Sequence, residues 1–190
     1  MPQQLNVLVI DNFYKNPLEV REFALQQEFK VTGNYPGIRT KSFATNELKE
    51  IINRYIEPCS GKITEFPMED TFNGSFQYTT SRERSWIHTD PYNTWGAVLF
   101  LTPDAPITAG TAFYRLKGSN AQGYEDLTKK DQMDSFSQDL TKWEVVDTVG
   151  NVFNRLVLFN SKRYHMSMDY FGTDRLNSRL FQVFFFSTEK

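Results

Sequence analysis

The spacing of apolar residues changes character about a third of the way along the chain. Residues 5–11, LNVLVID, read as a strand. Asn16-Pro17 then opens a helix, because Asn caps and Pro suits the first helical turn, with Leu18, Phe23 and Leu25 helping to form its apolar face. A turn-rich stretch, TGNYPGIR, follows, and a second helix is predicted over residues 46–56 with Leu48, Ile51, Ile52 and Tyr55 along one side. From residue 72 the pattern becomes short aromatic or β-branched runs divided by turn residues: TFNGSFQYT, SWIHTD, WGAVLFL, TAFYRL, WEVVDTV, RLVLFN, YHMSM and RLFQVFFF. Such runs predict a β-sandwich or jelly roll. Residues 117–142 are polar and charged, which suits a long loop with short helices inserted between strands. The expectation is one domain, mainly β with flanking helices: an α/β extension over 1–70 packing on the outside, and a β core over 71–190.

Composition sharpens this picture. Among 190 residues, 17 Phe, 9 Tyr and 3 Trp favour a sheet-dominated fold and argue against disorder. A net charge of −2 without blocks of like charge gives no footprint for nucleic acid or an anionic membrane. The single cysteine, Cys59, has no intramolecular partner and no basic cluster nearby, so a structural thiol in a reducing, cytoplasmic setting is expected. No leader-like or membrane-length apolar segment is evident, and a soluble protein is expected.

The candidate chemistry lies in two histidines, the only ones in the chain. His88 and Asp90 stand two apart after the strand-like SWI, and in extended chain such residues face the same side. An imidazole and a carboxylate can thus meet one ion, and His165, in YHMSM, is the remaining candidate for a two-histidine, one-carboxylate facial triad. That arrangement leaves coordination positions open for a chelating co-substrate and dioxygen, unlike a closed structural zinc site. Arg179 opens the last apolar run, RLFQVFFF, where a guanidinium is costly unless an anion meets it, and its planar fork matches a carboxylate. Arg175, in the turn-like FGTDR, is the second candidate for that role, and Asp174 is the alternative, purely structural partner for Arg179.

These residues resemble the iron and 2-oxoglutarate dependent dioxygenases, most closely the prolyl hydroxylase branch, over roughly residues 72–187. The shared pattern is HxD (His88, Asp90), a strand ending in a turn with Gly-Thr before an aromatic (Gly110, Thr111, Phe113), the distal His165, and a basic residue on the last core strand (Arg179). Tyr78 stands where a co-substrate tyrosine occurs in hypoxia-type prolyl hydroxylases. The usual glycine pair appears as Ala109-Gly110, and the insertion after residue 117 departs from the compact members. The resemblance implies a double-stranded β-helix, the jelly-roll and cupin-like architecture. It also implies Fe(II), 2-oxoglutarate as co-substrate, O2 and, optionally, ascorbate. The implied reaction decarboxylates 2-oxoglutarate to succinate and CO2 while hydroxylating a carbon of a protein, peptide or small-molecule substrate.

Plainer readings stand beside these. Tyr35-Pro36-Gly37-Ile38-Arg39 is either a substrate entrance or, preferably, a type II turn centred on Pro and Gly. Trp86 and Trp95 bracket the HxD motif and serve either the site or the core. Glu125–Asp139 is a lid or, more safely, a solvated loop. The rival functions are a cupin-like metal-binding module without turnover, and a jelly-roll scaffold for interactions.

Overall fold

A computed structural model of the protein describes residues 5–69, 72–118, 122–123 and 136–189. Its strands are β1 (Val7–Ile10), β2 (Ile38–Arg39), β3 (Ile63–Glu65), β4 (Phe76–Thr79), β5 (Trp95–Phe100), β6 (Thr111–Leu116), β7 (Trp143–Val149), β8 (Leu156–Asn160), β9 (His165–Ser167) and β10 (Arg179–Thr188). Two helices lie among them, α1 (Pro17–Gln26) and α2 (Asn46–Ser60). The runs expected to be strands are strands, with one exception. SWIHTD is extended but pairs only through an isolated bridge at His88. The expected strand run there is too short of partners to form a ladder. Strands β2 and β3 were not foreseen, because two or three residues beside Pro, Gly and charged neighbours carry no measurable alternation.

Both helices form where Asn16-Pro17 and the apolar spacing over 46–56 place them, with corrections in detail. Asn16 does not cap α1; its amide donates to Glu19 Oε2 at 3.2 Å instead. The helix buries Ala24 and half-buries Val20 and Leu25, while Leu18 and Phe23 are exposed. At about 100° per residue Phe23 stands to one side of the line through Val20 and Ala24 and Leu18 nearly opposite it, so neither is buried. Phe23 still meets Phe43 edge-on, with ring centroids 5.2 Å apart. In α2, Thr45 Oγ1 accepts from the Leu48 amide at 3.1 Å, and the helix runs to Ser60 before Gly61, at φ +77°, ends it. Ile52 and Ile56 are fully buried, whereas Tyr55 faces solvent.

The sheets form a mainly antiparallel, two-layered jelly roll. The larger has seven strands in the order β1-β8-β5-β10-β4-β2, with β3 also on β10; the smaller has the order β7-β6-β9. β10 is the axis of the larger sheet. It pairs with β5 along one edge, and with β4 through its first half and β3 through its last residues on the other. All three strands before residue 70 are thereby hydrogen-bonded into this sheet.

Each central strand is buried on both faces, which is why these segments read as unbroken apolar runs. Leu180, Phe184 and Phe186 of β10, with Trp95, Ala97 and Leu99 of β5 and Leu156 and Leu158 of β8, pack outward under α1 and α2. Phe181 and Val183, with Phe100, Val157 and Phe159, point the other way and meet Phe113 of the smaller sheet. A third cluster, Ile87, Ala112, Tyr114, Trp143 and Tyr164, covers the back of the smaller sheet. Trp95 belongs to the core, donating its indole N–H to Ser60 and Thr188 hydroxyls. Of Glu125–Asp139, only residues 136–139 are among the described residues; a 3₁₀ turn, Leu140–Lys142, follows them. No helix among the described residues is long and apolar enough to cross a membrane.

Ile52→Ala and Ile56→Ala should each lower unfolding free energy by about 2–5 kcal/mol, and Tyr55→Ala by less than about 1 kcal/mol, in urea titrations. Equal losses at all three positions would contradict the packing of α2 on the sheet.

Candidate metal centre

The HxD segment is held between two cores. Ile87 is buried behind the smaller sheet, and its amide donates to Ser137 O at 2.8 Å. Alternation then turns Trp86, His88 and Asp90 toward the space between the sheets. His88 N donates to His165 O at 3.0 Å, and His165 N returns a bond to His88 O at 2.9 Å. Asp90 N is fixed by Ser161 O at 2.8 Å. His165 begins β9, opposite Phe113 of β6, with the buried Tyr164 beside it facing the rear core.

Backbone carbonyls orient both imidazoles. His88 Nδ1 lies 2.9 Å from Trp86 O, and His165 Nδ1 lies 2.8 Å from Arg163 O. A carbonyl only accepts, so each Nδ1 carries the proton and each Nε2 keeps its lone pair. The rings stand 4.4 Å apart between centroids, and His165 Nε2 is 3.4 Å from Asp90 Oδ2. Adjacent ligands of one ion bonded at about 2.1 Å are roughly 3 Å apart, so this separation suits a shared ion. Among the described residues, His88, Asp90 and His165 are the one group of three or more His, Cys, Asp or Glu offering converging ligand atoms, all within 4.8 Å of one another.

The electrostatics favour the ligating forms. Burial, reinforced by His165, pulls His88 down to about 4, so its imidazole is neutral at neutral pH. Burial pushes the Asp90 carboxyl up, but the close approach of His165, with His88 and the Arg39 guanidinium nearby, outweighs it and holds it below the usual carboxylate range.

These groups open on a cavity of about 620 Å³. Trp86, Phe159, Phe181 and Phe185 supply much of its wall, and Tyr35, Pro36 and Arg39 stand on its border. The PGI segment therefore borders the cavity as well as turning: Gly37 has φ +76°, and a Cβ there would strike the Tyr78 carbonyl. Trp86 faces the cavity and Trp95 does not.

The other sequence candidates fall in different places. Arg179 is completely buried on the inner face of β10, donating from Nε to Ala109 O at 3.0 Å and from Nη2 to Gly110 O at 3.4 Å. It makes no ion pair with Asp174. Its guanidinium lies 4.3 Å from the Phe181 ring centroid, it is not among the residues lining the cavity, and Nη1 has no hydrogen-bond partner among the described residues. Thr111 Oγ1 and Tyr170 Oη are likewise buried without partners, and Tyr170 couples electrostatically to Arg179. Burial lowers Arg179 to about 10, still a cation at neutral pH. Arg175 is exposed and reaches Gln27 O at 3.3 Å, away from the cavity. Tyr78 sits on the outer face of β4, packed against Phe29 at 5.1 Å, while its neighbour Gln77 points inward; a spacing counted along the chain does not fix which side of a strand a residue takes. Arg39 lines the cavity as the entrance reading of residues 35–39 allowed, and Gln77 and Phe72 are lining residues that the sequence did not single out. An arginine between Ile38 and Thr40 was the available signal.

A family model described as a family of unknown function, DUF6445, matches residues 1–169. No curated protein matches the chain. Among solved structures, HygX from Streptomyces hygroscopicus, with nickel and 2-oxoglutarate bound, superposes with TM-score 0.67 at 11% identity, covering 97% of this chain and 83% of that one. A prolyl hydroxylase from Trichoplax adhaerens, in complex with a hypoxia inducible factor peptide fragment, gives TM-score 0.56 at 14% identity over 95% and 83% of the two chains. A Pseudomonas putida prolyl-4-hydroxylase gives 0.50 at 15% identity over 97% and 94%. The fold is thus that of the 2-oxoglutarate oxygenases, with a likeness to prolyl hydroxylases.

Gly110 allows the turn that meets Arg179, since a Cβ there would collide with the Val149 carbonyl. Gly110→Ala should lower stability by about 1–3 kcal/mol in urea unfolding; an unchanged midpoint would refute the close approach.

Proposed function

The chain belongs to DUF6445, a family of unknown function, and for this member we propose an iron(II) and 2-oxoglutarate dependent oxygenase that hydroxylates a carbon of its substrate. The observation that carries the reading is the convergence of His88, Asp90 and His165 on one cavity of a jelly roll. A nickel and 2-oxoglutarate complex of HygX and a peptide complex of a prolyl hydroxylase, on the same fold, support the cofactor set and leave room for a peptide or a small molecule as substrate.

His88 and His165 would hold the ion through Nε2 and Asp90 through its carboxylate, a donor set suited to iron with open positions. The bound iron supplies the oxidative chemistry, in which O2 and 2-oxoglutarate become succinate, CO2 and a hydroxylated substrate carbon. The protein holds the ligands still: the Trp86 and Arg163 carbonyls keep both histidines in the ligating tautomer before any ion arrives. Arg179 is the anchor for the co-substrate's distal carboxylate. Its free Nη1, with the unpartnered hydroxyls of Thr111 and Tyr170, is a buried polar set that an anion would satisfy. Phe159, against His165 at 4.6 Å, and Phe181 keep bulk water from the reacting atoms.

One observation favours a second reading, a metal-binding module without turnover: Arg179, the proposed anchor, is not among the residues lining the cavity. Turnover separates the two. Purified protein with Fe(II), 2-oxoglutarate, ascorbate and O2 should release succinate, and His88→Ala should not. Bound iron with neither 2-oxoglutarate binding nor succinate would select the module.

Two variants divide the roles. His165→Ala should lose iron by metal analysis while keeping its circular dichroism spectrum. Arg179→Lys should retain iron but weaken 2-oxoglutarate binding roughly 10- to 150-fold, the value of losing charge-assisted hydrogen bonds. Unchanged affinity would remove Arg179 from the site.

A further inference from the structure

Arg39 presents a second cation that the proposed chemistry does not use. It lies on β2 in register with Gln77 of β4, so both side chains enter the space between the sheets. The residue is 7% exposed, and its Nε donates to Gln77 Oε1 at 2.6 Å. The guanidinium stacks 3.7 Å from the Tyr35 ring centroid, with Phe72 at 5.0 Å and Phe185 at 5.8 Å. This packing fixes the plane of the fork and strips it of water. No ion pair between Arg39 and a carboxylate is formed among the described residues, although it feels the charge of Asp90. Among the described residues lining the cavity, Arg39 is the only Lys or Arg and Asp90 the only acid. A buried cation without a carboxylate partner, on a cavity wall, is costly unless an anion visits it.

Charge balance indicates what kind of anion. A divalent ion, Arg39 and Arg179 set against Asp90 leave three positive charges in excess. The 2-oxoglutarate dianion removes two, and one remains. Arg39 is also distinct from the co-substrate anchor: it pairs across from Gln77 and lines the cavity, whereas Arg179 pairs across from Thr79 and does not line it. A planar monoanion matches the guanidinium fork better than a phosphate dianion would, since no second cation on the wall shares the load.

We propose that the substrate carries a carboxylate that docks on Arg39, with an apolar or aromatic body lying along Phe72, Phe185 and Trp86 toward His88, Asp90 and His165. This rests on the oxygenase reading above. The cavity volume is in the range of small-molecule sites, so the carboxylate belongs to a small acid, and a peptide side chain is the other source of the same group.

The test uses the full chain loaded anaerobically with Fe(II) and 2-oxoglutarate. A panel of aryl and alkyl carboxylates is titrated by calorimetry, each beside its primary amide, together with a blocked peptide containing one Glu and its Gln counterpart. Stimulated succinate release is then measured in air. Acids should bind roughly 10- to 150-fold more tightly than their amides and raise succinate release. Arg39→Gln should abolish that preference while iron content and 2-oxoglutarate affinity stay at wild-type values, and Arg39→Lys should restore part of it. A preference confined to the Glu peptide supports the carboxylate and assigns it to a protein. Equal binding of acids and amides, no binding across the panel, or an acid preference surviving in Arg39→Gln overturns the proposal. Loss of 2-oxoglutarate binding in Arg39→Gln also overturns it, making Arg39 the co-substrate anchor. If wild-type protein binds neither iron nor 2-oxoglutarate, the oxygenase reading itself falls, and this proposal with it.

Discussion

Two reciprocal backbone hydrogen bonds, from His88 N to His165 O and from His165 N to His88 O, stitch an irregular segment to the first residue of β9. Everything at the candidate centre depends on this bridge. The HxD segment has no ladder of its own, so its register against β9 is set there, by the Asp90–Ser161 bond and by Ile87 buried behind it. With the backbone fixed, the side chains need only their carbonyl contacts to present both Nε2 atoms and the carboxylate to one point. The fold's own backbone hydrogen bonds set this geometry.

The second constraint is the burial of the central strands on both faces. One face of β10 carries the helices, and the other carries Phe181, Val183 and Phe185 into the space between the sheets. Aromatic residues wall much of that space, and the cavity left in it is lined by His88, Asp90, His165 and Arg39. Within it the charges are few and specific: one carboxylate at the candidate centre, one guanidinium stacked on Tyr35, and a third charge, Arg179, held beneath the aromatic floor. In such surroundings each polar group is worth more than it would be in water, whether it is satisfied or left waiting.

Much of this was legible along the chain. The runs WGAVLFL, RLVLFN and RLFQVFFF announced central strands because burial on both faces removes polar interruptions. The apolar positions of α2 announced a helix, and two histidines in the whole chain left little choice of imidazoles for a metal. Tyr78 packs against Phe29 in the outer core, because a strand reverses side with each residue and likeness of position along the chain does not fix the side. Phe23 and Leu18 were misplaced because a ten-residue helix has room for only one buried line.

By itself the sequence determined the elements and the chemical types available: alternation, capping and turn residues act over a few neighbours, and a scarce residue such as His is visible anywhere. Only the tertiary structure decided that Arg39 and Gln77 share the cavity with His88, Asp90 and His165, while Tyr78 and Arg175 do not. That choice depends on which edge of β4 the two-residue β2 joins and on which face each strand turns inward. Those are long-range pairings, whose energy comes from burial summed over the whole sheet and not from any local run of residues.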